Sequence, residues 1–247
     1  MVGTGDATLD VTDAMHAFAL STMAQCKGLS GYILKKGSPS CGMERVKIYS
    51  NKGIPRNDGR GLFAETLLTT YPNLPVEEEG RLNDNRLREN FIQRVYVYHR
   101  WLRLCADGLS VGGLVEFHAQ HKFMLLAHDE AAYRALGPIV AGARADTLEK
   151  SAESYISRLM AALKRPATRK RHTNVLMHIA GFVKKSLSTD DKRELGQLLD
   201  QYRTGLVPLI VPMTLLRHHL RKAPNAYLNR QYYLQPYPED LMLRNFV

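Results

Sequence analysis

Cysteine is scarce in this 247-residue chain: Cys26, Cys41 and Cys105 lie far apart and are odd in number. That argues against a secreted disulfide framework and against a self-contained four-cysteine zinc site, and leaves reduced thiols unless something binds them. Long apolar runs are missing as well. The greasiest stretch, Leu206 to Leu216, is broken by Pro208 and Pro212, so nothing approaches the roughly 18 to 20 apolar residues that span a bilayer. Met1 to Asp13 has no basic segment leading into an apolar core, so no secretion signal is expected and a cytoplasmic location is. Internal repeats, low-complexity tracts and a His-Glu-x-x-His metal pattern are also lacking.

What is present is a sequence 45% hydrophobic and 23% charged, enough for a sizeable core in one large domain or two modest ones. Acidic residues are short in one part only. Residues 1–80 hold 8 Lys or Arg against 9 Asp or Glu, whereas residues 81–247 hold 26 against 15. The second part therefore has the balance of a protein with a polyanionic partner, or of one with a basic solvated surface.

Val11 to Cys26 reads as a helix capped by Asp10 or Thr12, with Ala14, Phe18 and Met23 near one face. Gly31 to Lys35 reads as a short buried strand running into Lys36–Gly42, a loop dense in turn formers. Val46 to Tyr49 reads as a second strand, Asn57 to Gly61 as a turn and Leu62 to Thr70 as a helix, an alternation that indicates an α/β piece. From Asn83 the pattern changes. Leu87, Phe91, Val95, Tyr98, Leu102 and Cys105 follow helical spacing and predict a linking or packing helix. Further helices are predicted over 114–128, 130–143, 147–163, 173–186, 189–203 and 208–222, with Ser188 and Asp191 at capping-box spacing and Gly205 placed to end a helix.

Three groups of residues could carry chemistry. In Ser38-Pro-Ser-Cys-Gly42, a cysteine after a strand can offer a thiolate to a metal, or it can be a small buried hydrophobe. His118, His121 and His128 fall close together on one predicted helix. Hydrogen-bonded core positions, a polar ligand pocket or a metal site with a ligand from elsewhere all fit them. Lys164 to His172 is strongly cationic, and Thr168 or Thr173 could cap the helix that follows. Arg169, Lys170, Arg171 and His172 thus suit a nucleotide phosphate, a nucleic-acid backbone or water. Tyr227, Tyr232, Tyr233 and Tyr237 could stack on bases, or pack as an extended tail on a helical body.

Gly31 to Tyr49 and Gly59-Arg-Gly-Leu-Phe-Ala64 together resemble the last half of the domain family that contains thiouracil desulfidase. Phe117 to His128, Arg169 to Leu176 and Gly205 to Pro212 resemble the YbgA-type helical domain often fused behind it. The resemblance implies an iron-sulfur-dependent removal of sulfur from thiolated pyrimidines, with a 4Fe-4S cluster held by three cysteines. Cys41 inherits the last of those positions, and Ser38, Ser40 and Gly42 shape its loop. Proximity to that loop, rather than the resemblance, places Lys35 or Lys36 near the substrate. The other two ligands belong to a segment without counterpart here, so this chain alone is expected to bind a cluster poorly or not at all. Three explanations stay open: a start that omits the upstream half, an upstream half supplied by a complementing chain, or a natural fragment with a structural role, in which a homo-oligomer would form through the truncated sheet edge. The fold class expected is α+β: a truncated α/β piece over 1–80, a linking helix and loop over 81–112, and an all-helical domain over 113–247. The alternative to a desulfidase role is non-enzymatic binding of nucleic acid or a nucleotide by the basic helical domain.

Overall fold

A computed structural model describes residues 1–3, 6, 8–50 and 53–247. The chain forms two compact units, Met1–Asp84 and Asn85–Val247. The fold is α+β, with the strands in the first unit and helices throughout the second.

The first unit begins with α1 (Thr12–Cys26), which buries Ala19, Met23 and Cys26 at helical spacing. The expected face was misplaced by about a residue, for Ala14 and Phe18 are exposed. Neither expected cap acts as one: Val11 occupies the capping position, and the Asp10 carboxylate instead accepts from the backbone and hydroxyl of Thr12. β1 (Tyr32–Leu34) pairs in parallel with β4 (Val76–Glu78), Tyr32 opposite Val76 and Leu34 opposite Glu78. Between them run β2 (Val46–Tyr49), β3 (Pro55–Gly59) and α2 (Leu62–Thr70).

β3 corrects the turn expected from Asn57 to Gly61. Its turn-forming residues are extended because β2 supplies an antiparallel partner, with Val46 opposite Gly59 and Tyr49 opposite Pro55. Pro55 is tolerated at the first position of such a strand. A side chain at Gly59 would meet the Val46 carbonyl at 2.8 Å, so glycine there serves close pairing rather than a bend.

The second unit is built from α3 (Asn85–Ala106), α4 (Val111–His128), α5 (Glu130–Gly142), α6 (Leu148–Leu163), α7 (Arg169–Val183), α8 (Thr189–Thr204), α9 (Ile210–Lys222) and the short α10 (Ala226–Asn229). One apolar core unites them, and its largest fully buried side chains include Tyr155, Leu159, Leu176, Tyr202 and Tyr233. α8 has the expected ends: Ser188 and Asp191 form a reciprocal capping box, and Gly205 closes the helix at φ +90°, a left-handed conformation that glycine alone adopts without strain. α7 begins four residues before its expected start, because the Thr168 hydroxyl accepts from the Arg171 amide. The tail packs inward, and the Leu209 amide donates to the Val247 carbonyl.

In α3 the stripe from Leu87 to Cys105 is not the main buried face. Phe91 is buried and Cys105 is exposed, while Glu89, Asn90, Gln93, Arg94, Val97 and Trp101 lie inside. A helix burying four polar side chains in its first half is read wrongly by hydropathy, which marks such residues for water.

Candidate functional site

Cys41 stands at the carboxyl end of a parallel strand pair, where open α/β sheets place their ligands. The chain leaves β1 at Leu34 and enters the Ser38–Gly42 loop, which folds on itself. The Ser38 carbonyl accepts from the Gly42 amide at 2.8 Å. The Ser38 hydroxyl accepts from the Ser40 and Cys41 amides, both at 3.3 Å, and meets the Ser40 hydroxyl at 2.9 Å. Ser40 Oγ lies 3.4 Å from Cys41 Sγ. Gly42 is buried and Cys41 half-buried.

The first amides of α2 hold this loop. Leu62 donates to the Pro39 carbonyl at 3.2 Å, and Phe63 and Ala64 both donate to the Ser40 carbonyl, at 2.9 and 3.1 Å. A helix begins with amides that lack intrahelical partners, and here the cysteine loop supplies them. Gly61 makes the approach feasible: a side chain there would lie 2.4 Å from the Ser40 carbonyl and 2.6 Å from the Cys41 nitrogen.

The other wall comes from β4. Glu78 is buried, and its carboxylate accepts from the Met43 amide at 2.9 Å. Glu77, also buried, accepts from Arg81 at 2.6 Å, and Arg81 reaches Glu44 at 3.0 Å. Lys35, expected near the substrate from its proximity to the loop, forms an exposed ion pair with Glu79 at 2.9 Å, which raises the ammonium pKa and lowers that of the carboxyl. The buried carboxylates escaped the sequence reading. The one hint was an acidic run, Glu77-Glu-Glu79, directly after the apolar Val76.

Cys26 is nearer to this region than its sequence position indicated. The Tyr32 phenol is held above its ordinary range by burial first, and then by Cys26 and Cys41 together. Two thiols thus bear on one phenol. Even so, among the described residues no three His, Cys, Asp or Glu side chains converge to hold a metal ion. A four-iron cluster takes several thiolates, so the residues present do not fit one.

In the helical unit the three α4 histidines are all buried and go separate ways. His118 Nδ1 lies 3.3 Å from the Tyr155 hydroxyl. His121 Nδ1 donates to the Phe117 carbonyl at 2.7 Å, its ring stacked on Phe117 at 4.1 Å. His128 Nδ1 donates to the Arg165 carbonyl at 2.6 Å, which leaves Nε2 to accept from Gln93 at 2.5 Å. Burial pushes His118 and His128 down to about 4 and His121 to about 3. At neutral pH all three are uncharged imidazoles.

The cationic run does not present one surface. His172 is buried against the Tyr233 hydroxyl at 2.9 Å and is held well below the usual imidazole range by burial. Arg171 donates to the His128 carbonyl. Arg169 lies over the Tyr202 ring, close to Gly205, and Lys170 is exposed. Beside them Arg244, buried, sits 3.7 Å from buried Glu89 and donates to the Tyr233 carbonyl at 2.6 Å. Tyr237 donates to Glu89 at 2.9 Å. Sequence reading missed this polar centre because Glu89 and Arg244 come from opposite ends of the unit.

Two outcomes are expected. Gly61→Ala should separate α2 from the loop, at a cost of about 1–3 kcal/mol, seen as lost hydrogen-exchange protection at the Phe63 and Ala64 amides; unchanged protection would contradict the contact. Histidines with lowered folded pKa values contribute stability that is full above the unfolded value of about 6.5 and is lost as pH falls toward the folded values. Urea unfolding of the helical unit should therefore be markedly easier at pH 5 than at pH 7.5, by on the order of 2 kcal/mol for each such histidine, and His128→Gln should flatten that dependence.

A family model described as 2-thiouracil desulfurase matches residues 2–79. A second, described as a protein of unknown function (DUF1722), matches residues 122–238. The uncharacterized protein YbgA of Escherichia coli (strain K12) is 33% identical over 165 residues, 66% of this chain and 98% of that protein. No solved structure matches. No helix among the described residues is long and apolar enough to cross a membrane. With nearly the whole of that relative covered, the chain belongs to the YbgA family, and it carries ahead of the YbgA-like region a domain related to 2-thiouracil desulfurase.

Proposed function

We propose that residues 1–84 form a desulfurase-type module that receives a thiolated pyrimidine beside Cys41, and that it works with thiolates which residues 1–247 do not supply. The observation that carries this reading is the position of Cys41 at the carboxyl end of the β1–β4 pair, in a loop clasped by the first amides of α2. The family relationship of residues 2–79 supports the substrate class. The two serines give the loop hydroxyls near sulfur, and the Glu78 bond to the Met43 amide fixes its exit. Lys35, tied to Glu79, stands at the rim. Because the residues present do not fit a cluster, the reading assigns Cys41 one ligand position and leaves the others to a longer polypeptide or a complementing chain.

A second reading concerns the helical unit. Residues 81–247 carry 26 basic against 15 acidic residues, and Arg169 and Lys170 are exposed on the first turn of α7, which favours binding to a nucleic-acid backbone.

Anaerobic reconstitution followed by iron and sulfide analysis tests the first reading. Iron and sulfide should fall well short of a full cluster per chain, and Cys41→Ala should remove what is taken up. A complete cluster lost on that substitution would place the remaining ligands within residues 1–247, and iron unaffected by it would remove Cys41 from the site. For the second reading, oligonucleotide affinity should drop about 40-fold between 50 and 200 mM salt if three phosphates are contacted. Absence of binding at low salt would dispose of it.

A further inference from the structure

The helical unit contains a cavity of about 510 Å³ between α4, α5, α7 and α10, within the roughly 300–1,000 Å³ range of small-molecule sites. Of the four tail tyrosines only Tyr227 reaches it. Its apolar wall is aromatic. The rings of Phe123, Phe182 and Tyr227 form a mutual cluster, with centroids 6.3 Å apart for Phe123–Phe182, 6.0 Å for Phe123–Tyr227 and 5.6 Å for Phe182–Tyr227. Phe182 nonetheless stays 48% exposed, which packing alone does not account for: the opposite face of α7 buries Val175, Leu176, Ile179 and Val183 completely, while Phe182 shows its ring to the cavity.

The polar wall comes from the same helix. Asn174, His178 and Phe182 follow one another at four-residue spacing on α7, so they share a face. Among the described residues neither the Asn174 nor the His178 side chain has a hydrogen-bond or ion-pair partner. An amide and an imidazole beside aromatic rings offer both donors and acceptors to the edge of a planar heteroaromatic ring.

Charge supplies the third element. Arg134 on the rim is taken up by Glu130 at 2.6 Å. Lys122 has no carboxylate partner among the described residues; its ammonium lies 5.8 Å from the centre of the Tyr133 ring. The cavity therefore has one cation in excess beside the rings, which matches a ligand carrying an anionic group.

We propose that this cavity binds a nucleoside monophosphate, with its base against Phe182 and Tyr227, the base edge at Asn174 and His178, and its phosphate at Lys122. The site lies wholly in the helical unit, and the proposal rests on neither of the readings above.

Calorimetric titration of the full chain with uridine 5′-monophosphate and adenosine 5′-monophosphate tests it, with uridine and ribose 5-phosphate as partial ligands. At least one mononucleotide should bind with a dissociation constant below about 1 mM. Phe182→Ala should weaken binding about tenfold or more through lost stacking. Lys122→Met should abolish any preference for uridine monophosphate over uridine and leave uridine itself unaffected. Phe182 and Asn174 are exposed, so thermal melts should keep these variants folded, and Asn174→Ala provides an independent loss of affinity if Phe182→Ala melts early. No heat with either mononucleotide at about 5 mM, or affinity unchanged in both Phe182→Ala and Asn174→Ala, overturns the proposal. So does binding confined to a single-stranded oligonucleotide, which would make the cavity a base pocket for a polymer.

Discussion

Helix ends carry backbone groups with no partner inside the helix, and in this protein the partners they find decide where Cys41 and the cations of α7 stand. At α2 the partners are the carbonyls of Pro39 and Ser40, so the helix and the cysteine loop are a single hydrogen-bonded object. At α7 the partner is the Thr168 hydroxyl. That cap winds Arg169 to His172 into a helical turn, and a helical turn sends consecutive side chains in different directions. One cationic run therefore becomes a buried imidazole, an arginine tied to a carbonyl, an arginine laid on a tyrosine and a free lysine.

The helical unit also encloses an unusual share of polar groups, and their chemistry accounts for their survival there. Burial of a charge is costly unless it is paired, and an imidazole escapes the cost by staying neutral. His128 does so with both nitrogens engaged, one donating to the Arg165 carbonyl and the other accepting from Gln93. Glu89 and Arg244 take the other course and face each other, Glu89 also accepting from Tyr237 and Arg244 donating to the Tyr233 carbonyl. Glu89 lies on the first helix of the unit and Arg244 near the end of the chain, so this centre ties together the two extremes of the unit's sequence.

Much of this architecture was legible from sequence. The alternation in residues 1–80 and the long apolar periodicities beyond gave the α+β class, and α2, α4, α6, α8 and α9 fall within a few residues of their expected limits, because capping and apolar spacing are local signals. The failures were non-local. β3 looks like a turn until β2 pairs with it. β4 is too short to announce itself and exists through its pairing with β1. The inner face of α3 was hidden because Glu89, Gln93 and Arg94 are polar and buried. At the cysteine loop, residue types singled out the segment, but the contribution of Gly61 and Glu78 depends on distances across the fold. The aromatic cavity draws on four helices, and no single stretch of sequence contains enough of it to be noticed.

The left-handed glycine that closes α8 has a consequence beyond ending a helix. The guanidinium of Arg169 occupies the space that a side chain at position 205 would need. That arginine keeps its place over Tyr202 only while position 205 is bare. The placement of one exposed positive charge on the first turn of α7 is thus governed by a residue at the far end of a different helix. Drift at that glycine would redistribute the surface potential of the unit without altering a single ionisable residue.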